Sequence, residues 1–222
     1  MSAFWEYDWE PVPLNCSGIE NVPMISGSGD VNTPVGGNSQ WIMGFNEPDG
    51  VQPLDYNQAA IYWRQIEQTY PTKKLLSPAT GNEDSSHWLT NFRNAYITKY
   101  NTPPRLDGLA VHCYRWWTSQ CTDFVTEYEG WASSWGVPEI WVTEFSFATD
   151  PSCGYGASPA QAAQIEQSFI SWMESQPQVT RFAWFASKLQ PGTELPGCFY
   201  TPLVDWNTGQ PTSYGSFYLL YR

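Results

Sequence analysis

Positive charge is scarce in this 222-residue chain: 10 Lys+Arg stand against 22 Asp+Glu, a formal net charge of -12. A field of that sign repels polyanions, so nucleic acid is excluded as a partner. Histidine is scarcer still, limited to His87 and His112. The five cysteines (Cys16, Cys113, Cys121, Cys153, Cys198) include no CxxC pair, so no metal site is expected. No run approaches the ~18 apolar residues that a membrane-spanning helix needs. The start, Met1-Ser2-Ala3-Phe4-Trp5, lacks the basic and apolar regions of a signal peptide. Low-complexity tracts and a dividing linker are also missing, so one domain over residues 1–222 is expected.

What the chain has in abundance is aromatic rings: 13 Trp, 13 Tyr and 11 Phe, against only 14% charged residues. Rings in that number exclude chain-wide disorder and argue for a substantial core. Acidic charge, little lysine and the Asn15-Cys16-Ser17 sequon point to a secreted protein, although a lone sequon also arises by chance. On that reading Met1 is a start placed on a mature chain. The odd cysteine count leaves at least one thiol unpaired in a monomer, the state expected here.

Helical patterns recur through the middle of the chain. Asp55 to Thr69 carries Ala59, Trp63 and Ile66 near helical spacing, and Ser85 to Lys99 carries Trp88, Phe92, Ala95 and Tyr96. Thr122 to Trp135 carries Phe124, Tyr128 and Trp131, with Gly136 as a stop and Pro138 beyond it. Ser158 to Ser175 opens with Ser158 at the N-cap, Pro159 in the first turn and Gln161 closing a capping box. Apolar strands alternate with these helices: Phe4–Trp9, Ile19–Ile25, Trp41–Asn46, Leu75–Thr80, Leu109–Tyr114, Ile140–Phe145 and Arg181–Ala186, with an eighth at Leu203–Trp206. A crossover helix is what a parallel connection needs, so the pattern predicts an α/β fold closed as a small (β/α)8 TIM-type barrel. Some helices are short or missing, as between Ser26 and Ser39, where no helical pattern exists.

In such barrels the working groups sit at the C-terminal ends of strands. Two strands end in glutamates: Phe45-Asn46-Glu47-Pro48 and Val142-Thr143-Glu144-Phe145. They lie 97 residues apart (144 − 47), three strand–helix units of ~32 residues, close to the barrel spacing. With few cations to pair them as rim salt bridges, two opposed carboxylates are the apparatus of glycoside hydrolysis. Period two puts His112 and Tyr114 on one face of their strand and Cys113 on the other, against the helix layer, where it reads as packing. Adjacent to His112 yet facing away, Cys113 makes a thiol hydrolase untenable. Aromatics interleave with the strand ends: Trp5, Tyr7 and Trp9 on the first, Trp116 after Tyr114, and Trp184 on the last long one. Flat rings suit the C–H faces of sugars. His87 reads as a surface loop residue.

Gly44-Phe45-Asn46-Glu47-Pro48-Asp49, His112-Cys113-Tyr114 and Trp141-Val142-Thr143-Glu144-Phe145 resemble segments of the clan A glycoside hydrolases. With Ile19-Glu20-Asn21-Val22-Pro23-Met24 upstream, the chain resembles more narrowly the glycosyl hydrolase catalytic-core family of small β-1,3-glucanases, family 128. The likeness implies Glu47 as acid/base, Glu144 as nucleophile and Asn46 on the sugar 2-hydroxyl. It implies Tyr114 and His112 at the cleavage subsite and Trp184 as its aromatic floor. The activity implied is a retaining endo-β-1,3-glucanase acting on β-1,3-glucan without metal or organic cofactor. Cellulose, mannan or xylan hydrolysis, or glycan binding alone on the same frame, are the alternatives. One departure is that the Asn-Glu-Pro strand is the third found here, whereas the family usually has it fourth. Retention requires carboxyl groups ~5–5.5 Å apart, and the acidic surface suits an acidic optimum. Cys153 and Cys198 follow the Glu144 and Trp184 strands, so they are expected to pair across neighbouring loops.

Overall fold

Proline and glycine punctuate the first half of the chain, and its strands are correspondingly brief. The computed structural model describes residues 4–81, 87–115, 118–147, 159–188 and 202–218. Two compact units are formed, an N-terminal unit of Ser2–Ala110 with Ala132–Glu139, and a C-terminal unit of Val111–Trp131 with Ile140–Arg222.

In the N-terminal unit, β1 (Trp5–Glu6) pairs in parallel with β2 (Glu20–Asn21), and β3 (Trp41–Ile42) with β4 (Lys74–Leu75). Single parallel bridges extend this pattern, Met24 to Met43, Asn46 to Ala79 and Leu76 to Gly108. Pro23 and Pro78, which carry no N–H, interrupt the segments that the sequence reads as longer strands. Helix α1 (Tyr56–Thr69) starts where expected, because the Asp55 carboxylate accepts from Asn57 N and Gln58 N at 2.9 and 3.0 Å. Its buried stripe is Ala59, Ala60, Trp63 and Ile66. The Trp63 ring meets Phe45 at 6.0 Å and Phe92 of α2 (Trp88–Tyr100) at 5.7 Å, both edge-on. Each buried ring of this kind contributes ~2–3 kcal/mol. The indole N–H groups are also satisfied: Trp63 donates to Arg105 O and Trp88 to Leu54 O. Only a 3₁₀ turn, Ser28–Asp30, occupies the stretch from Ser26 to Ser39. His87 is exposed immediately before α2, as expected of a loop residue.

The C-terminal unit holds the longer strands. Here β5 (Leu109–Arg115, its first two residues in the N-terminal unit), β6 (Ile140–Phe147) and β7 (Val179–Trp184) form one sheet in the order β5-β6-β7. β6 and β7 are parallel, with register shifts between Ile140 and Trp141 and between Val142 and Phe145. Helix α3 (Thr118–Trp135) follows β5, beginning four residues before the expected Thr122, and α4 (Pro159–Ser175) follows β6. The Ser158 N-cap lies outside the described residues. Phe145 and Phe147 face α4, meeting Phe169 at 5.4 and 5.5 Å. Helix α5 (Ser213–Tyr218) closes the described chain and packs on α4. The eighth strand reduces to one parallel bridge, Lys188 to Val204, so among the described residues the strands form open parallel sheets and no closed one.

Two features of this unit escaped the sequence reading. Cys113 is buried on the helix-facing side of β5, yet it does more than pack: it is disulfide-bonded to Cys121 of α3, with Cα atoms 5.8 Å apart. The expected partners Cys153 and Cys198 lie outside the described residues, and Cys16 is an exposed free thiol. Second, Glu166 of α4 is fully buried, and neither carboxyl oxygen has a hydrogen-bond partner among the described residues. Burial pushes its carboxyl up to about 8.

Candidate active site

In the N-terminal unit the chemistry-bearing segment leaves β3. Phe45 is buried in the core, and Asn46 follows with its amide bonded to Ser26 O at 2.9 Å. Asn46 is 8% exposed, and its buried side-chain oxygen has no hydrogen-bond partner among the described residues. Glu47 then turns sharply: its φ is 42°, in the left-handed region that side-chain-bearing residues rarely adopt. Three main-chain bonds hold the turn. Glu47 N donates to Ala79 O at 2.7 Å, and Glu47 O accepts from Gly50 N and Gln52 N at 3.0 and 3.1 Å.

Two residues that the sequence reading did not single out complete this turn. Asp49 accepts from Gly81 N at 2.8 Å. A Cβ on Gly81 would lie 3.1 Å from Glu47 Cδ, so glycine there leaves room for the carboxyl group. The signal for Asp49 was present in the sequence, two residues past the glutamate. That for Gly81 was not, because it depends on the tertiary pairing of residues 46 and 79.

The N-terminal aromatics form a row in this unit. Trp5 and Tyr7 stack with centroids 5.8 Å apart, and Trp9 meets Tyr7 edge-on at 5.2 Å.

In the C-terminal unit, β5 and β6 bring three of the expected residues together. Glu144 is buried near the end of β6 and accepts a hydrogen bond at Oε2 from the Tyr114 hydroxyl. His112 Nδ1 lies 3.5 Å from the same oxygen, and the His112 and Tyr114 rings cross edge-on at 6.3 Å. Alternation along β5 thus delivers both groups to one carboxylate, and the neighbouring strand supplies that carboxylate. A hydroxyl donor fixes the orientation of a carboxylate without neutralising it as a buried cation would.

Trp184 departs from the expectation. Its register partner is Phe145, and its ring packs edge-on to Phe145 at 5.1 Å and tilted against Phe147 at 6.4 Å. That is the α4 side of the sheet, opposite to Glu144. Among the described residues, a ring beside the Glu144–Tyr114 pair is that of Phe185, edge-on to Tyr114 at 5.5 Å. Trp116 lies outside the described residues.

Residues 1–218 match the glycosyl hydrolase catalytic core, and the chain belongs to that family. No curated protein sequence matches it. The fold is similar to that of solved family 128 structures. A subgroup V exo-β-1,3-glucanase from Cryptococcus neoformans matches with TM-score 0.76 at 24% identity, over 96% of this chain and 87% of that one. A subgroup I endo-β-1,3-glucanase from Amycolatopsis mediterranei, in complex with laminaritriose, matches with TM-score 0.73 at 24% identity, over 97% and 89%. A subgroup VII oligosaccharide-binding protein from Trichoderma gamsii matches with TM-score 0.74 at 21% identity, over 98% and 86%.

Proposed function

We propose that the chain is a retaining endo-β-1,3-glucanase of family 128, a single catalytic domain built as a (β/α)8 barrel. The observation that carries this reading is Glu144, a buried strand-end carboxylate oriented by the Tyr114 hydroxyl, in a chain of the glycosyl hydrolase catalytic-core family. Glu144 attacks the anomeric carbon while protonated Glu47 delivers its proton to the departing sugar oxygen. Glu47 then takes a proton from the water that releases the glycosyl group. Asn46 accepts from the sugar 2-hydroxyl, and His112 and Tyr114 hold the nucleophile. The aromatic surface beside it is Phe185 rather than Trp184. The glucan substrate is supported by the β-1,3-glucanases among the similar folds, the endo mode by the endo-acting one from Amycolatopsis mediterranei against the exo-acting one from Cryptococcus neoformans, and secretion by the Cys113–Cys121 disulfide.

The test is reducing-sugar release from a linear β-1,3-glucan beside xylan, mannan and cellulose, with Glu144→Gln in parallel. Cleavage of the β-1,3-glucan alone into a ladder of oligosaccharides, lost in Glu144→Gln, is expected. Glucose as the sole product refutes the endo mode, and cleavage of a different glycan refutes the substrate. Glucan binding without any cleavage assigns the chain to the oligosaccharide-binding kind.

A further inference from the structure

We propose that Asn15 is an N-glycosylation acceptor, and that its glycan covers the free thiol next to it. This inference does not rest on the glucanase reading. Asn15-Cys16-Ser17 is the only Asn-x-Ser/Thr triplet with a non-proline centre in the chain. The structure presents it as an acceptor must be presented, with residues 14–18 all exposed on a loop. Among the described residues, that loop is held through its backbone. Cys16 N donates to Asn21 Oδ1 at 2.8 Å, and Asn21 Nδ2 returns a bond to Cys16 O at 3.3 Å. Gly18 turns the chain back at φ 85°.

Position favours the modification as well. The loop enters β2, and through Asn38 it is fastened to the segment that enters β3. Asn21 N donates to Asn38 Oδ1 at 2.7 Å, and Asn38 Nδ2 donates to Ile19 O at 3.1 Å. Asn46 and Glu47 leave β3 at its other end. Because the strands run parallel, a glycan on Asn15 stands at the opposite end of them from Glu47.

Compartment chemistry supplies an independent argument. The Cys113–Cys121 disulfide marks a chain that folds under oxidising conditions, where N-glycans are also attached. In that environment the exposed free thiol of Cys16 invites mixed disulfides. A sugar chain on the preceding residue shields it.

The Asn15 amide nitrogen attacks the anomeric carbon of a polyprenyl-diphosphate-linked oligosaccharide and forms a nitrogen–carbon bond. The bond from that carbon to the diphosphate oxygen breaks, the lipid diphosphate leaves, and the amide gives up one proton.

The experiment is export of the full chain from a yeast secretory host, followed by peptide mapping after peptide-N-glycosidase digestion in heavy-oxygen water. The expected result is conversion of Asn15 to labelled aspartate in the major species, absent in both Asn15→Gln and Ser17→Ala. Maleimide labelling of native Cys16 is expected to be at least severalfold faster in Asn15→Gln, with an unchanged melting temperature. Recovery of unmodified Asn15 from the exported wild type overturns the proposal, and equal labelling rates overturn the shielding. If export fails, translation into microsomes decides: no endoglycosidase-sensitive band shift overturns the proposal there too.

Discussion

Replacing Glu166 by glutamine removes a buried carboxyl group while keeping nearly the same shape. Glu166 lies fully buried on α4, whose other inward residues Phe169, Ile170 and Met173 are apolar. Burial raises its carboxyl from an ordinary 4.5 to about 8. The proton is therefore bound in the folded protein over a pH range in which the unfolded chain has already released it. Stability is then fully present below about 4.5 and is lost as pH rises through about 8. At ~1.36 kcal/mol per pH unit, the loss between pH 5 and pH 9 is on the order of 4 kcal/mol. In a chain of this length that corresponds to a fall in Tm of roughly 8–16 °C. Glutamine has no proton to lose, so Glu166→Gln is expected to abolish that component. The assay is a set of calorimetric melts of both proteins from pH 5 to pH 9. The two Tm values should diverge with rising pH, the variant being the more stable above neutrality. Parallel curves refute the reasoning, because they mean that the Glu166 carboxylate is stabilised by solvent or a partner in the folded state.

Two further outcomes follow from the Glu144 surroundings and from the disulfide. Tyr114→Phe removes one hydrogen bond to a carboxylate, worth ~1.5–3 kcal/mol. Steady-state kinetics on β-1,3-glucan should show kcat down by about 10- to 150-fold with KM little changed. Cys113→Ser/Cys121→Ser opens a short loop and is expected to cost about 2–3 kcal/mol, read as a lower denaturant midpoint. The reduced wild type should match the double variant.

Much of this molecule is legible in its sequence, for identifiable reasons. Helix α1 was readable because its cap and its stripe are both local: Asp55 needs only the next three residues, and Trp63 and Ile66 fall on one face. Parity puts His112 and Tyr114 on one face of their strand, the family resemblance implies their place at the cleavage subsite, and their contact with the Glu144 carboxylate is visible only in the structure. The Cys113–Cys121 disulfide is only half legible in the sequence. Cys113 was placed against the helix layer, but α3 begins at Thr118, which brings Cys121 into its first turn, earlier than the apolar pattern suggested. Trp184 and Phe185 changed places for a different reason. The register of β6 against β7 shifts between Val142 and Phe145, and no pattern along either strand alone encodes that irregularity. The burial of Glu166 was also invisible, since in sequence it reads as one more polar position on an amphipathic helix.

Hydrolysis by two carboxylates with retention is tested most directly by proton NMR of the wild-type reaction on a linear β-1,3-glucan. The spectrum shows which anomer of the newly formed reducing end appears before mutarotation. The β anomer first, with the α anomer growing in later at the mutarotation rate, is the predicted result. The α anomer first contradicts the assignment of Glu144 as nucleophile, because it means that water rather than the carboxylate attacks the sugar.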